Sequence, residues 1–177
     1  MYYKSSYTSP LGQMTIVNDE HAIKGLWFSD QRYFGGKYDL QTMVEGETPV
    51  TKQVKNWLDA YFAGENPTLE PNILAPEVTP YRKQILNALI HVPYGQTTSY
   101  KELADKVALT TPGKKGSARA AGGAVGHNPI SILIPCHRVV ATNGALTGYA
   151  GGIDRKIALL ALEGIDQSKL DNHRVQV

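Results

Sequence analysis

The sequence predicts a mixed α/β (α+β) fold in two parts: a small antiparallel sheet with a covering helix over 1–78, and a mostly helical region with a helix-turn-helix over 79–177. Three observations predict it. Short segments of partial alternation, separated by turn residues, fill the first third. Apolar residues recur at helical spacing from residue 80 onward. The charge also changes sign between the halves: of 18 Lys+Arg and 16 Asp+Glu, 6 and 10 fall in 1–78, net −4, which leaves 12 and 6, net +6, for 79–177. A basic region that contains small helices points to an anionic partner, most often nucleic acid, with a plain solvated basic surface as the alternative.

Composition narrows the class. A chain of 177 residues that is 42% hydrophobic and 19% charged can bury one sizeable core or two small ones. No run approaches the roughly 18 apolar residues of a membrane span. The opening "MYYKSSYTSP" has no apolar signal core, so a cytoplasmic location is expected. One cysteine excludes an internal disulfide and any site built from several cysteines.

The segments "YYKSSYTS", "GQMTIVN" and "AIKGLWF", parted by "PLG" and "NDEH", read as a three-stranded meander. A poorly patterned stretch follows. Then "PVTKQVKNWLDAYFAG" sets Val54, Trp57, Leu58, Tyr61 and Phe62 at helical spacing, with Gly64 as a stop, and this helix covers the sheet. The proline-rich "ENPTLEPNILAPEVTP" is the natural linker. Thr79 as N-cap and Pro80 at the first helical position open a helix whose apolar stripe is Ile85, Leu86, Leu89 and Ile90. Ser99 with Glu102 three residues on gives a capping box that fixes Tyr100 in the first turn of the next helix.

After "LTTPGKKG", Ser117 can cap a short helix, "ARAAGGAVGH". Ala118, Ala120, Ala121, Gly122, Gly123 and Ala124 give this helix almost no bulk, and Arg119 is its one long cation. Interior glycines each cost up to ~1 kcal/mol relative to alanine. Either the helix packs tightly on a neighbour, or its thin surface enters a confined space such as a DNA minor groove, about 6 Å wide. A terminal helix over "DRKIALLALEG" has Ile157 and Leu160 on its core face, Gly164 as C-cap and Glu163 in its last turn. A carboxylate there opposes the helix dipole, so a partner is expected, and His137 is a candidate.

Cys136 is the only cysteine, set in "ILIPCHRVV". It is either a small buried hydrophobe at the end of an apolar strand or a nucleophile. The adjoining His137 and Arg138 favour a thiolate, and Pro135 permits a turn. If Cys136, His137 and Glu163 act together, a cysteine hydrolase that turns over an amide or ester is one reading, although the Gly-Ala helix and the basic half speak against it.

The motifs "SYKELA", "ARAAGGAVGHNPI", "IPCHRVV" and "TGYAGG" with the closing "LLALEG", in that order over approximately residues 80 to 165, resemble the O6-alkylguanine-DNA alkyltransferases, also called methylated-DNA–protein-cysteine methyltransferases. The resemblance implies a ribonuclease H-like first domain (1–78) and a winged-helix-like second domain (79–177). It implies a monomer that acts on double-stranded DNA containing alkylated guanine, flips the base, and moves the O6-alkyl group irreversibly onto its own thiol. Activity on O4-alkylthymine is left open.

By this resemblance Cys136 is the nucleophile, His137 its base through a bridging water, and Glu163 the group that orients that imidazole. Tyr100 donates a proton or hydrogen bond to the guanine, and Asn128 holds the network behind the active-site turn. Arg119 fills the gap in the duplex, with Ser117, Ala118, Ala120, Lys114 and Lys115 on the DNA-binding surface. Val139, Tyr149, Ala150 and Gly151 line the base pocket through backbone groups and surface. No membrane, cofactor or metal is expected, since the zinc site of some relatives requires cysteines absent here, and the phosphotriester-repair domain of adaptive-response members is absent too. The turn "ALTTPGKKG" is longer than the family's, and Ala121 stands where a valine is usual. A lesion-binding relative that flips the base without repairing it is the non-enzyme alternative, but in those proteins the cysteine is replaced.

Overall fold

Turn residues set the lengths of the first three strands. β1 (Tyr3–Ser9), β2 (Gly12–Asn18) and β3 (Ile23–Phe28) form an antiparallel meander in which Ser9 pairs with Gly12 across the two-residue Pro10–Leu11 turn. Gly12, at φ 128°, supplies the backbone conformation that a residue with a Cβ resists. The computed structural model describes residues 1–110, 116–146 and 148–165. These fall into two compact units, Met1–Glu77 with Pro129–Ser131, and Val78–Asn128 with the chain from Ile132 onward.

In the first unit a fourth strand, β4 (Val44–Glu45), pairs in parallel with β1 and completes the order β3-β2-β1-β4. It lies in the stretch whose sequence has no pattern, and a two-residue strand is too short to show one. Helix α1 (Pro49–Phe62) buries Val50, Val54, Leu58 and Tyr61 and packs on β1 and β2. Trp57, expected on that stripe, is only half-buried, because its indole N–H turns out to the carbonyl of Pro67. Thr48 and Thr51 form a reciprocal capping box at the start of α1. Buried Asn18 bonds both hydroxyls, at 2.8 and 3.0 Å, and so ties that helix start to the end of β2. In β3, a Cβ on Gly25 would collide with the Trp27 ring, so glycine is what lets that indole fold back over the strand. Pro129–Ser131 joins this unit through main-chain bonds from Leu26 N to Pro129 O and from Ser131 N to Leu26 O.

The second unit packs α2 (Pro80–Ile90), α3 (Tyr100–Leu109) and α4 (Ala118–Gly126) against one another around Ile85, Leu86, Leu89, Leu103, Val107, Ala121, Ala124 and Val125. Thr79 caps α2 as expected, through its hydroxyl and the Arg82 amide. At α3 only half of the expected capping box forms. Ser99 accepts from the Glu102 amide, but the Glu102 carboxylate takes its hydrogen bond from the Thr98 hydroxyl. A short parallel pair, β5 (Thr98–Ser99) with β6 (Val139–Val140), sets the start of α3 beside the residues that follow the Cys136 turn. Helix α5 (Ile153–Leu162) closes the unit with Leu160, which clusters with Val140 and Leu146. Glu163 is its C-cap, and Gly164, at φ 79°, stands one residue beyond. The helix also buries Lys156 completely, which an apolar stripe does not predict.

Candidate active site

The turn that carries Cys136 is assembled from unusual backbone. Ile132 has φ 69° while buried, a conformation that costs a β-branched residue on the order of 1–3 kcal/mol and persists only where the surroundings enforce it. Pro135, at φ −81° and ψ 64°, closes an inverse γ-turn in which Cys136 N donates to Ile134 O at 2.8 Å. The Asn128 amide donates to the same carbonyl at 2.9 Å and fixes the far side of the turn. Cys136–Arg138 then form a single 3₁₀ turn whose three side chains are all buried.

Two of those side chains meet one carboxylate. His137 Nε2 lies 2.6 Å from Glu163 Oε2. Arg138 forks onto the same group, Nε to Oε1 at 2.8 Å and Nη2 to Oε2 at 3.1 Å, and its Nη1 donates to Val92 O at 2.8 Å. Gly95 N donates to Glu163 Oε1 at 3.1 Å. The last-turn glutamate that opposes its helix dipole is therefore saturated by partners. Burial lowers the pKa of His137, with Glu163 acting to raise it and Arg138 and Lys156 to lower it further. A neutral ring that donates from Nε2 to Glu163 keeps its basic lone pair on Nδ1.

Burial pushes the Cys136 thiol up. Hydrogen bonds from the Asn128 and Tyr149 side chains and the charge of Lys156 pull it down. Lys156 Nζ donates to Val139 O at 2.6 Å, and desolvation lowers its pKa to about 8, with Cys136 acting to raise it. The set is a nucleophile whose anion is served by two hydrogen-bond donors and a buried cation, next to a base oriented by a carboxylate. That arrangement suits attack by a thiolate on a weak electrophile.

Two models of 6-O-methylguanine DNA methyltransferase match the chain, the ribonuclease-like domain over residues 1–74 and the DNA-binding domain over 80–165. The chain belongs to the methylated-DNA–protein-cysteine methyltransferase family. The family member from Methanosarcina acetivorans is 40% identical over 167 residues, 93% of this chain and 99% of that protein. The constitutive one from Bacillus subtilis is 36% identical over 166 residues, 93% of this chain and 97% of that one. The crystal structure of the Mycobacterium tuberculosis O6-methylguanine methyltransferase matches with a TM-score of 0.77 at 36% identity, covering 98% of this chain and 97% of that one. A structure of the M. tuberculosis protein in complex with DNA matches at 0.78, with 35% identity over 96% of each chain.

The structure gathers Cys136, His137, Glu163, Asn128 and Tyr149 into one network, and Tyr100 opens α3 directly after β5, which pairs with Val139–Val140. Ala150 is half-buried and Gly151 buried in the turn before α5, where Gly151 O accepts from Arg155. The Val139 carbonyl accepts from Lys156, its amide donates to Cys136 O, and its side chain is buried. Ser117, Ala118, Arg119 and Ala120 stand apart from the thiol, on the exposed first turn of α4. Lys114 and Lys115 lie outside the described residues. Sequence reasoning missed Lys156, a lysine within an apolar helix face, and left Arg138 as a local cation beside the thiol. The helical spacing from Lys156 to Glu163, seven residues on one face, could have flagged the first.

Proposed function

We propose that this protein repairs alkylated DNA by taking the alkyl group of O6-alkylguanine onto Cys136, once per molecule. The observation that carries the reading is the site's single thiol, held by Asn128 and Tyr149 beside a His137–Glu163 pair at 2.6 Å, in a chain whose relatives are named for this transfer. The sulfur forms a bond to the alkyl carbon as the carbon–oxygen bond breaks, and that electron pair stays on the guanine. The thiol proton leaves through a water to His137, the Tyr100 hydroxyl donates a proton to the restored guanine, and the proton that His137 releases to solvent is matched by one that solvent returns to Tyr100, so protons balance. Asn128 keeps the turn in register, and Val139, Tyr149, Ala150 and Gly151 bound the base.

The base reaches the thiol by leaving the duplex, a step that costs a few kcal/mol and that Arg119 offsets by filling the gap. The exposed, side-chain-poor first turn of α4 supports this role. A Cβ on Gly123 or Gly126 would meet nothing within 4 Å among the described residues, and a surface kept this thin suits entry into a narrow groove. Ser117, Ala118 and Ala120 follow the duplex there, and Lys114 and Lys115 add phosphate contacts. The division near residue 78 separates this reacting unit from a supporting sheet domain. No helix among the described residues is long and apolar enough to cross a membrane, and we place the protein in the cytoplasm with DNA as its partner.

Intact-mass measurement after mixing with a methylated-guanine oligonucleotide tests the reading. One methyl increment on Cys136 and a stoichiometric end point are expected. Transfer beyond one equivalent, or sustained turnover of a chromogenic ester, would sink it.

A further inference from the structure

Arg138 is the one residue of the Cys136–Arg138 turn to which alkyl transfer gives no task, yet it is buried and heavily bonded. Its guanidinium forks onto Glu163, reaches Val92 O, and lies 5.8 Å from the Tyr94 ring centroid. Burying an ion pair is often no more stabilising than apolar packing, so a charge pair here calls for a reason beyond stability. The groups around the Cys136–His137 pair supply one. His137 is faced by the Glu163 anion at the end of α5, by the Lys156 cation of that helix and by Arg138 of its own turn, Cys136 is faced by Asn128, Tyr149 and Lys156, and Tyr94 lies against Arg138. Glu163 alone would hold a proton on His137, and an imidazole already protonated cannot take one from the thiol. A guanidinium on that carboxylate cancels the effect while keeping the carboxylate as a geometric anchor.

We propose that Arg138 is a positioning residue: it clamps Glu163 against His137 and supplies the fixed positive charge against which the Cys136–His137 pair sheds its first proton. Arg138 transfers no proton itself, since a guanidinium stays charged. The division of labour is therefore between neighbours, residue 137 moving a proton and residue 138 holding a charge. This rests on the alkyl-transfer reading for its purpose, while the electrostatics can be measured without DNA.

Cys136 is the only cysteine, so the rate of its alkylation by iodoacetamide against pH, on the full chain, reports the pair directly. Iodoacetamide reads the thiolate, so the acid limb marks the step at which thiolate appears, a property of the Cys136–His137 pair rather than of either group alone. Arg138→Met should move it up by about one pH unit or more, a tenfold loss of rate on the acid side. Arg138→Lys keeps the charge without the fork, so it should leave the limb near the wild-type position while slowing transfer from DNA. An unmoved limb in Arg138→Met, or a limb in Arg138→Lys as high as in Arg138→Met, would each overturn the proposal. If Arg138→Met does not fold, Arg138→Gln, which can still donate to Glu163 without the charge, should show the same upward shift, and an unmoved limb there would overturn the proposal too. A wild-type protein that reacts with iodoacetamide as described but not with methylated oligonucleotide would sink alkyl transfer and leave this inference standing.

Discussion

The Cys136–Arg138 turn and the first turn of α4 belong to the same unit and are built on opposite terms. In the former, polar groups converge on one another: the Asn128 and Tyr149 side chains on the thiol, and the His137 and Arg138 side chains with the Gly95 main-chain N–H on Glu163. In the latter, Ser117 to Ala120 are exposed, and the Ser117 side chain is spent on the cap of its own helix, accepting from Ala120 N. Residues of the turn are held by the fold and hold it in return, so a substitution there changes stability and chemistry together. The exposed face of α4 contributes little to the fold, so substitutions there can change binding alone.

Glu163→Gln should give the largest effect and tests the first half of that contrast. It leaves the buried Arg138 without its anion, and breaking a buried pair from one side typically costs about 3–5 kcal/mol. A lower urea midpoint and a loss of single-turnover transfer are expected in the same samples. An unchanged midpoint would show that the network is not what secures the turn.

Tyr100 packs against α4, where a Cβ on Gly122 would lie 3.8 Å from its ring. Tyr100→Phe keeps that contact and removes the hydroxyl. Transfer should slow by ~10²-fold to 10⁴-fold, with binding to alkylated duplex and thermal stability unchanged. Equal single-turnover rates for the two proteins would remove Tyr100 from the chemistry.

Sequence made the regular elements legible and left the network partly hidden. β1 to β3, α1 and α2 were readable because alternation, helical spacing and the caps at Thr79 and Ser99 act over a few neighbouring residues. The partnership of Glu163 with His137 was readable because a carboxylate in a last turn needs one. Two kinds of feature were not. β4 carries two residues and its pairing with β1 is settled by tertiary contact. The fork of Arg138, the γ-turn at Pro135 and the burial of Lys156 depend on where the chain returns in space, which adjacency in sequence does not encode.

Lys156 gives the pH dependence of the buried turn. Its pKa is about 8 in the fold, against 10.5 for an ordinary lysine, so the unfolded chain binds the extra proton between those pH values. Stability from this residue is present above about 10.5 and lost as pH falls through about 8, on the order of 3 kcal/mol in all. Melts of wild type should rise relative to those of Lys156→Met as pH goes from 8 to 10. Parallel curves would mean that Lys156 is not desolvated. The same substitution removes a cation that favours the thiolate, so alkylation of Cys136 should require higher pH.

The smallest effect is the sharpest test of the comparison, because its two parts have opposite signs. Gly123 lies one helical turn from Arg119 and so shares its face, whereas Ala121, Ala124 and Val125 occupy the buried side. Among the described residues a Cβ at Gly123 meets no atom within 4 Å. In the protein alone, Gly123→Ala should therefore stabilise by about 0.5–1 kcal/mol, the ordinary helix preference of alanine over glycine. Against DNA the added methyl group thickens the surface beside Arg119, where a groove of about 6 Å leaves little room, so affinity for alkylated duplex should fall. Reaction with free O6-benzylguanine needs no groove and should be unaffected. Urea midpoints, duplex titrations and free-base rates on one preparation separate the outcomes. A higher midpoint with unchanged duplex affinity would mean that the glycine face does not enter DNA, and a lower midpoint would mean that the chain itself needs the space.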